Sequence, residues 1–490
     1  MQTKNGMKWL KQIAVAISVV LIASTAWLVF VINNLPNTLE PHTVKPSGVL
    51  FDNVRVLSMV DETSVTQSLQ AVLVIGDKIT KIAAAGEINA PDGALIIDGR
   101  GYTLMPGLID AHIHLNDEAE LAAYLAHGVT GLRNMSGYLF HLRLMERIAN
   151  GHLLGPDFIT TGPILNSRGP NELVLQTTVT TAEEARLAVR AQHSNGYRHV
   201  KVYSNLTRAA FDAIIDETAS LGMTVTGHSP EGARTSGVPH TKPFEIPWEA
   251  SLGRGLTTFE HIETLVWHGL RDKLDQQKMR LLAAAIAEYG EAVTPTLHAH
   301  KRLVLIAQTQ GAYLNRPGAE MINPLVTWFS KSAQQYWRQV DASVYEAPHA
   351  DFFLSATGLL HEASVPLLTG TDSGSFGIIP GASVARELEL LVAAGLSPFA
   401  ALNTATRQSA EILGFEKTGM ILPGYRANLI LLPKDPLTEV AVVEFPVGVM
   451  IGGYWLDEQA LDAMKSSANN SGVSSFFRSL IRVIEMKLFA

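Results

Sequence analysis

The chain has 490 residues, 47% hydrophobic and 17% charged, with 38 Lys and Arg against 46 Asp and Glu. The resulting net charge of −8, with no basic stripe, excludes a general nucleic-acid binder. The lack of cysteine excludes disulfides, thiolate metal sites and a cysteine nucleophile, and leaves the 16 histidines as the place to look for metal ligands.

Residues 1–12 carry Lys4, Lys8 and Lys11 and lead into "IAVAISVVLIASTAWLVFVI" over 13–32. A helix of that length, at 1.5 Å per residue, spans about 30 Å, the thickness of a bilayer's hydrocarbon layer. Three lysines precede it and only Lys45 follows before Arg55. The positive-inside rule therefore predicts a membrane anchor with a cytoplasmic N-terminus and an extracytoplasmic remainder, periplasmic or extracellular. The competing reading is a cleaved signal peptide ending near Ser24-Thr25-Ala26, but the apolar run continues to Ile32, too long for such a segment.

Residues 33–46 read as a tether. "GVLFDNVRVLSMV", "SLQAVLVIGDKITKIAAAG" and "ALIIDGRGYTLMPG" then alternate apolar and polar residues around Gly-Asp and Asp-Gly turns, the mark of short antiparallel strands. The pattern returns in "GYRANLILLPKDP" and "VGVMIGGYWL". Segments 47–105 and 416–457 are expected to pair into one small sheet domain, with 106–415 inserted between its halves.

That middle segment alternates short apolar strands with amphipathic helical stretches. Eight strands are expected, near 107–114, 129–134, 158–164, 198–203, 223–228, 256–261, 293–298 and 366–372. "TAEEARLAVRAQHSNG" opens on a Thr cap and closes on Gly196, "LTRAAFDAIIDETASLG" ends on Gly222, and "SPFAALNTATRQSAEILG" has a Ser cap, a Pro at its first position and Gly414 beyond its end. Strand then helix, eight times over, predicts a parallel (β/α)8 TIM barrel. The segment 299–365 is long and holds Tyr313, Trp328, Tyr336, Trp337 and Phe352, which reads either as a lid or substrate wall or as helices packed outside the barrel. The tail, 458–490, ends in "SSFFRSLIRVIEMKLFA". This places Phe476, Leu480, Val483 and Ile484 on one helical face with Arg478, Arg482 and Glu485 off it and Lys487 on it. It suits a membrane surface, a partner, or a helix docked on its own barrel.

The chemistry gathers at one rim. Residues two apart in a strand face the same way, so Asp110, His112 and His114 share one side of the first barrel strand, with the histidines toward its C-terminal end. Asp110 lies deeper and is expected to pack or to support the ligands. Strand four ends near Lys201, strand five at His228, strand six at His261 and strand eight at Asp372. Each has an ordinary reading: Lys201 in a structural ion pair, His228 in a loop, His261 in a surface turn between Glu260 and Glu263, Asp372 in a turn between Gly370 and Gly374. Their shared place at one rim argues for ligands. Lys201, flanked by Val200 and Val202, is costly as a buried ammonium unless paired, and a carboxylated lysine bridging two metals is its functional reading. Imidazoles with carboxylates suit zinc or a similar divalent ion, which lowers the pKa of bound water toward about 7 and polarises a carbonyl. Asp372 is the candidate to take the water's proton and pass it to a leaving nitrogen.

In that order, "MPGLIDAHIHL", "HVKVYS", "TGHS", "FEHIE" and "TGTDSG" resemble the amidohydrolase superfamily, within it the imidazolonepropionase-like and Xaa-Pro dipeptidase (prolidase-like) branch. "PGASVARELELLVAAGLSPFAALNTAT", from Pro380, is similar to the same branch. The resemblance covers residues 47–457 and implies the barrel with a β-sandwich built from both flanks. It also implies two metals: His112 and His114 on the more buried one, His228 and His261 on the second, carboxylated Lys201 bridging, and Asp372 as ligand and general base. Tyr203 shares the face of Lys201 and is expected either to contact substrate or to pack in the barrel, and His298 at the end of strand seven either to face the pocket or to be a loop residue. Ser229, after the strand-five histidine, departs from a branched apolar residue in relatives. The segment 299–365 and the anchor also lie outside the pattern. The leading expectation is a membrane-anchored amidohydrolase of a small amide, such as a dipeptide, with oligomerisation open. A cyclic-amide hydrolase or deaminase, and an inactive membrane-tethered binding module, are the alternatives. Lys201 counts against the deaminase and the intact donor set against the inactive module.

Overall fold

The computed structural model of the protein describes residues 2–33, 35–41, 45–62 and 68–489. The side chains of Lys4, Lys8 and Lys11, on which the expected orientation rests, lie outside the described residues, as do Asn34 and residues 42–44 of the expected tether. Five strands precede the middle segment: β1 (Val49–Val56), β2 (Gln70–Ile75), β3 (Lys78–Ala84), β4 (Leu95–Asp98) and β5 (Thr103–Pro106). In the middle lie β6 (Leu108–Ile113), β7 (Val129–Asn134), β8 (Asp157–Thr160), β9 (Leu165–Asn166), β10 (Thr177–Thr178), β11 (His199–Val202), β12 (Thr224–Gly227), β13 (Leu256–Glu260) and β14 (Ala292–Thr294). Three follow it: β15 (Leu429–Leu432), β16 (Gly448–Ile451) and β17 (Tyr454–Asp457).

The two flanks meet in one mixed eight-stranded sheet. The seam is antiparallel, β5 against β15, from Thr103 opposite Leu432 to Pro106 opposite Leu429. The sheet bends where β1 changes partner: Val49–Asp52 lie beside β4, and Arg55 and Val56 beside β5. Asn53 stands at the bend with φ 57, a left-handed conformation that asparagine tolerates better than most residues.

The middle segment is parallel and TIM-barrel-like. β6, β7 and β8 form one sheet, and β9, β11, β12, β13 and β14 run through a second. Bridges join the two: Thr161 pairs with His199 on one side, and Leu367 with Val293 and Ser373 with Ile113 on the other. The expected eighth strand, 366–372, is thus a chain of single bridges and not a regular strand. Pro366 has no N–H to give, Thr369 donates to Thr404 O, and Asp372 turns left-handed at φ 59, so no continuous ladder forms. It still spans the gap: Leu368 N–H donates to Val293 O, Ala111 N–H to Thr369 O and Asp372 N–H to His112 O.

Other expectations shift for local reasons. Strand seven stops at Thr294, because Thr296 is left-handed at φ 50 and a helix, Leu297–Gln308, starts at once. His298 therefore sits in a helical first turn. The helix expected over 397–413 is two, Pro398–Thr404 and Arg407–Leu413. The carbonyls of Thr404 and Ala405 leave the helical ladder to accept from Thr369 and Ile109 in the barrel. Elsewhere the caps are as expected: Thr181 and Glu184 form a reciprocal capping box, and Gly196 closes that helix at φ 106.

The N-terminal helix, Gln2–Asn33, leaves Val15, Ile17, Val20 and Ile22 more than half exposed. Its last turn touches the tail helix, Gly472–Phe489. That tail helix docks by its charged face. Arg478, 1% exposed, places Nε and Nη2 on the two oxygens of Asp117, both at 2.7 Å, and Ser475 Oγ donates to the same carboxylate. Arg482 pairs with Glu118 at 2.5 Å. Removing one partner of a buried pair leaves the other charge desolvated, at a cost of about 3–5 kcal/mol. Arg478→Ala should therefore release the tail: amide exchange across 472–489 quickens while that of β6, β7 and β12 stays slow. Slow exchange in the tail of the variant would contradict this account of its docking.

Candidate metal centre

β6 sends Asp110 and His112 to the face that looks into the ring, and His114 follows just past its end. His112 is fully buried, whereas the His114 side chain is 26% exposed at the rim. Both rings turn Nε2 toward Asp372, whose Oδ1 stands 3.6 Å from His112 and 3.2 Å from His114. Ligand atoms of these three residues all lie within 4.8 Å of one another. Asp372 reaches this position through its left-handed backbone, and Gly374 (φ +100) continues the turn where a Cβ would meet His114 O at 2.0 Å, so only glycine fits there. Asp110 lies below. It accepts from Thr371 N at 3.0 Å, Thr371 Oγ1 at 2.6 Å and His112 N at 3.3 Å, which ties the first strand to the eighth segment. Its place is structural support for the turn that delivers Asp372.

Lys201 is 1% exposed, and its Nζ lies 3.2 Å from His112 Nε2. Among the described residues it makes no salt bridge to a carboxylate, so the ordinary reading of a structural ion pair is not met. Burial lowers its pKa to about 8, against the opposing pull of Glu260 and Asp372. His228 and His261 stand at the ends of β12 and β13 with ring centroids 4.7 Å apart, and His261 is 4.6 Å from His112. His261 Nδ1 is held by Thr296 Oγ1 at 2.7 Å. His228 Nδ1 is buried with no hydrogen-bond partner, a polar atom in need of one. Burial first, then neighbouring positive charge, holds His112 and His228 well below the usual histidine range; burial brings His261 to about 4. All three rings are neutral near pH 7, the state that offers a lone pair to a metal.

Tyr203 packs against His228, with ring centroids 4.0 Å apart and the planes tilted by 46°. Tyr203, His114, Lys201, His228, His261 and Asp372 line one cavity of about 410 Å³, with His112 behind it. Six of the seven residues singled out in the sequence thus share one space and the seventh touches two of them. The donor set fits a divalent cation: neutral imidazoles, a carboxylate held well below the usual range by His114 against the effect of burial, and an unsatisfied ring nitrogen. His298 is not among the lining residues; its N–H donates to Glu387 Oε2 at 2.7 Å. No residue of 299–365 lines the cavity either.

The sequence reading passed over two buried charges that organise the site. Glu260 is fully buried in β13, and its Oε2 accepts from His112 Nδ1 at 2.6 Å. Its Oε1 accepts from Arg133 Nη2 of β7 at 2.8 Å, from Thr226 of β12 at 2.8 Å and from Thr258. A carboxylate can only accept, so His112 carries its proton on Nδ1 and keeps Nε2 for the cavity. The available signal was the period of two: Thr258 and Glu260 alternate on the interior face as His112 and Asp110 do. Glu263, on the cavity wall, was noted only as a neighbour of His261; burial pushes its carboxyl up to about 7.

Residues 272–456 match the model of the Amidohydrolase family. Ochratoxinase of Aspergillus niger is 22% identical, over 83% of this chain and 90% of its own length. Imidazolonepropionase of Rubrobacter xylanophilus is 26% identical, over 74% of this chain and 84% of its own. The solved structure of a Xaa-Pro dipeptidase, with methionine bound in its active site, superposes with a TM-score of 0.62 at 19% identity, covering 84% of this chain and 100% of that one. The imidazolonepropionase is similar in sequence, and the dipeptidase shares the fold.

Glu260→Gln keeps the shape but loses the acceptor for Arg133 or His112. Loss of such a supporting contact lowers metal affinity about 10–100-fold. Titration of the metal-stripped variant with zinc should show that drop; wild-type affinity would show that Glu260 does not orient His112.

Proposed function

We propose that this chain, a hydrolase with an amidohydrolase-family domain acting on carbon–nitrogen bonds, cleaves the amide of a small substrate such as a dipeptide with the help of two divalent metal ions. Zinc suits the donor set. The observation that carries the reading is the convergence of His112, His114 and Asp372 within 4.8 Å beside a buried Lys201 that has no salt bridge among the described residues. His112 and His114 would hold the inner ion with Asp372, and His228 and His261 the outer one. Lys201, its pKa lowered to about 8 by burial, is neutral in part of the molecules near pH 7; its Nζ would bond to carbon dioxide with loss of a proton, and the resulting carboxylate would serve as a further ligand. Bound there, the ions supply an acidified water and polarise the substrate carbonyl.

The chain's own groups do the rest. Asp372, ionised at neutral pH, accepts the proton of the attacking water and passes it to the leaving nitrogen as the water oxygen replaces nitrogen on the carbonyl carbon. Tyr203 lies on the wall against His228 and positions the substrate. A cavity of about 410 Å³ suits a dipeptide-sized molecule. The deaminase alternative is disfavoured by Lys201 facing the cavity, which that chemistry does not need. With it we propose the domain division: 106–415 as the hydrolase domain, 47–105 with 416–457 as its supporting sheet domain, 13–32 as the membrane anchor, and the catalytic part on the extracytoplasmic side.

Metal counting tests the centre. Wild type should hold two ions per chain and Lys201→Ala one or none; a single ion in wild type removes the binuclear reading. Asp372→Asn should lose at least about 100-fold in kcat on any amide the wild type cleaves, and retained turnover removes the general base. The lysine adds a pH signature. The neutral amine grows as pH rises through about 8, so reloading of stripped protein should become faster from pH 7 to pH 9 and depend on bicarbonate. Reloading that ignores both would remove the carboxylated lysine.

A further inference from the structure

The tail helix is inside out. Helices on a protein surface ordinarily turn their apolar stripe down and their charges to water. Here Ser475, Arg478, Ser479 and Arg482 face the barrel, bonded to residues 116–118 and Asn323. The opposite stripe is only partly covered: Val473 is 62% and Ile484 49% exposed, and Phe476, Phe477, Leu480 and Val483 are half-buried. This stripe continues into the candidate span. Phe477 meets Trp27 of the N-terminal helix edge-on at 5.4 Å and Phe476 at 5.6 Å. Phe476 in turn meets Trp328 at 6.2 Å, and Trp328 meets Phe329 at 4.8 Å. Trp328 and Phe329, on the short helix Pro324–Phe329, are more than half exposed. An unbroken aromatic run thus leads from the only apolar helix among the described residues long enough to cross a bilayer onto the outside of the barrel. Aromatic rings of this kind gather at the level of the lipid headgroups.

The same helix leads to the cavity. Lys487, near its other end, donates from Nζ to Val174 O. Val174 is 80% exposed and, with Leu173 and Leu175, forms the apolar lip of the cavity that holds His228 and Asp372. From Phe477 to Lys487 the helix advances about 15 Å. One helix thus joins the aromatic contacts of the span to the lip.

We propose that the outer face of the tail helix, with Trp328 and Phe329, is seated in the lipid interface beside the span, and that amides bearing an apolar tail enter the cavity from the bilayer over the 173–175 lip. This rests on the anchor reading of 13–32 and on the hydrolase reading of the cavity. The occupant is lipid because the face is continuous with the candidate span and shares its aromatic contacts.

The chain has no cysteine, so one introduced cysteine carries one spin label. The full chain is reconstituted in phosphatidylcholine–phosphatidylglycerol vesicles with the label at Ile484→Cys, Val473→Cys, Val20→Cys or Leu281→Cys, the last on the exposed face of the helix Gln276–Tyr289. The labels at 484, 473 and 20 should be relaxed by oxygen and shielded from an aqueous nickel complex, and that at 281 the reverse. Labels at 484 and 473 as open to nickel as 281 overturn the surface; so does dipolar broadening between 484 labels, which would assign the face to a second copy. A nickel-accessible label at 20 overturns the anchor reading separately. For the substrate, acetyl and dodecanoyl amides of the same amine are compared in vesicles. The dodecanoyl amide should be preferred by at least about tenfold in kcat/KM, and Val174→Glu should bring the two values together. Equal rates overturn the entry route. Cleavage of neither, with the labels in lipid, overturns the hydrolase reading and leaves the surface standing.

Discussion

The carboxylate of Glu260 is the constraint on which the rest of the site depends. It is wholly buried, a position that carries a heavy desolvation cost unless every lone pair is met. Arg133, His112, Thr226 and Thr258 meet them, and they come from two pairs of adjacent strands, β6 with β7 and β12 with β13. One group thus fixes the spacing of half the ring and the tautomer of the most buried histidine. Arg133 extends the tie by donating to Ala111 O at 2.6 Å and to Thr294 at 3.3 Å on β14. The barrel interior below the cavity is a polar network, and its members are satisfied through one another.

The rim above that network is built from backbone that side chains seldom adopt. Asp372, His261 and Thr296 all have positive φ, near 59, 67 and 50. Such conformations cost of order 1–3 kcal/mol each and persist where the surroundings over-determine them. Each has a visible reason. Asp372 turns so that its N–H reaches His112 O while its carboxylate faces both histidines. His261 turns as β13 ends, and Thr296 reaches back to its Nδ1. Strain and donor geometry occur in the same residues.

How far could the sequence be read toward this? The period of two in "DAHIH" reveals a strand and its ligand face at once, because the rule is local and independent of packing. Spacing by single βα units carried the reading to Lys201, His228 and His261 in the same way. Strand seven ends short of its expected length and the eighth segment forms only single bridges, since the left-handed turns at Thr296 and Asp372 are set by contacts with other strands. Glu260 and Arg133 look like any charged residues until the ring brings them together across more than a hundred residues of sequence. The tail showed its two faces in the sequence. Which of them turned inward was decided by Asp117 and Glu118, two charges far away in the chain.

The seam between β5 and β15 has a consequence for how the protein is made. Pro106 and Leu429 are partners in that seam, and the bridge from Ser373 to Ile113 also waits on late sequence. A ribosome adding about 5–20 residues per second needs on the order of tens of seconds to pass from one side of the seam to the other. During that interval β5 has β1 but lacks β15, β6 has β7 but lacks the segment around Ser373, and His112 and His114 lack Asp372. Completion of the fold and assembly of the donor set are therefore late, nearly simultaneous events, and a nascent chain cut short before Asp372 has neither.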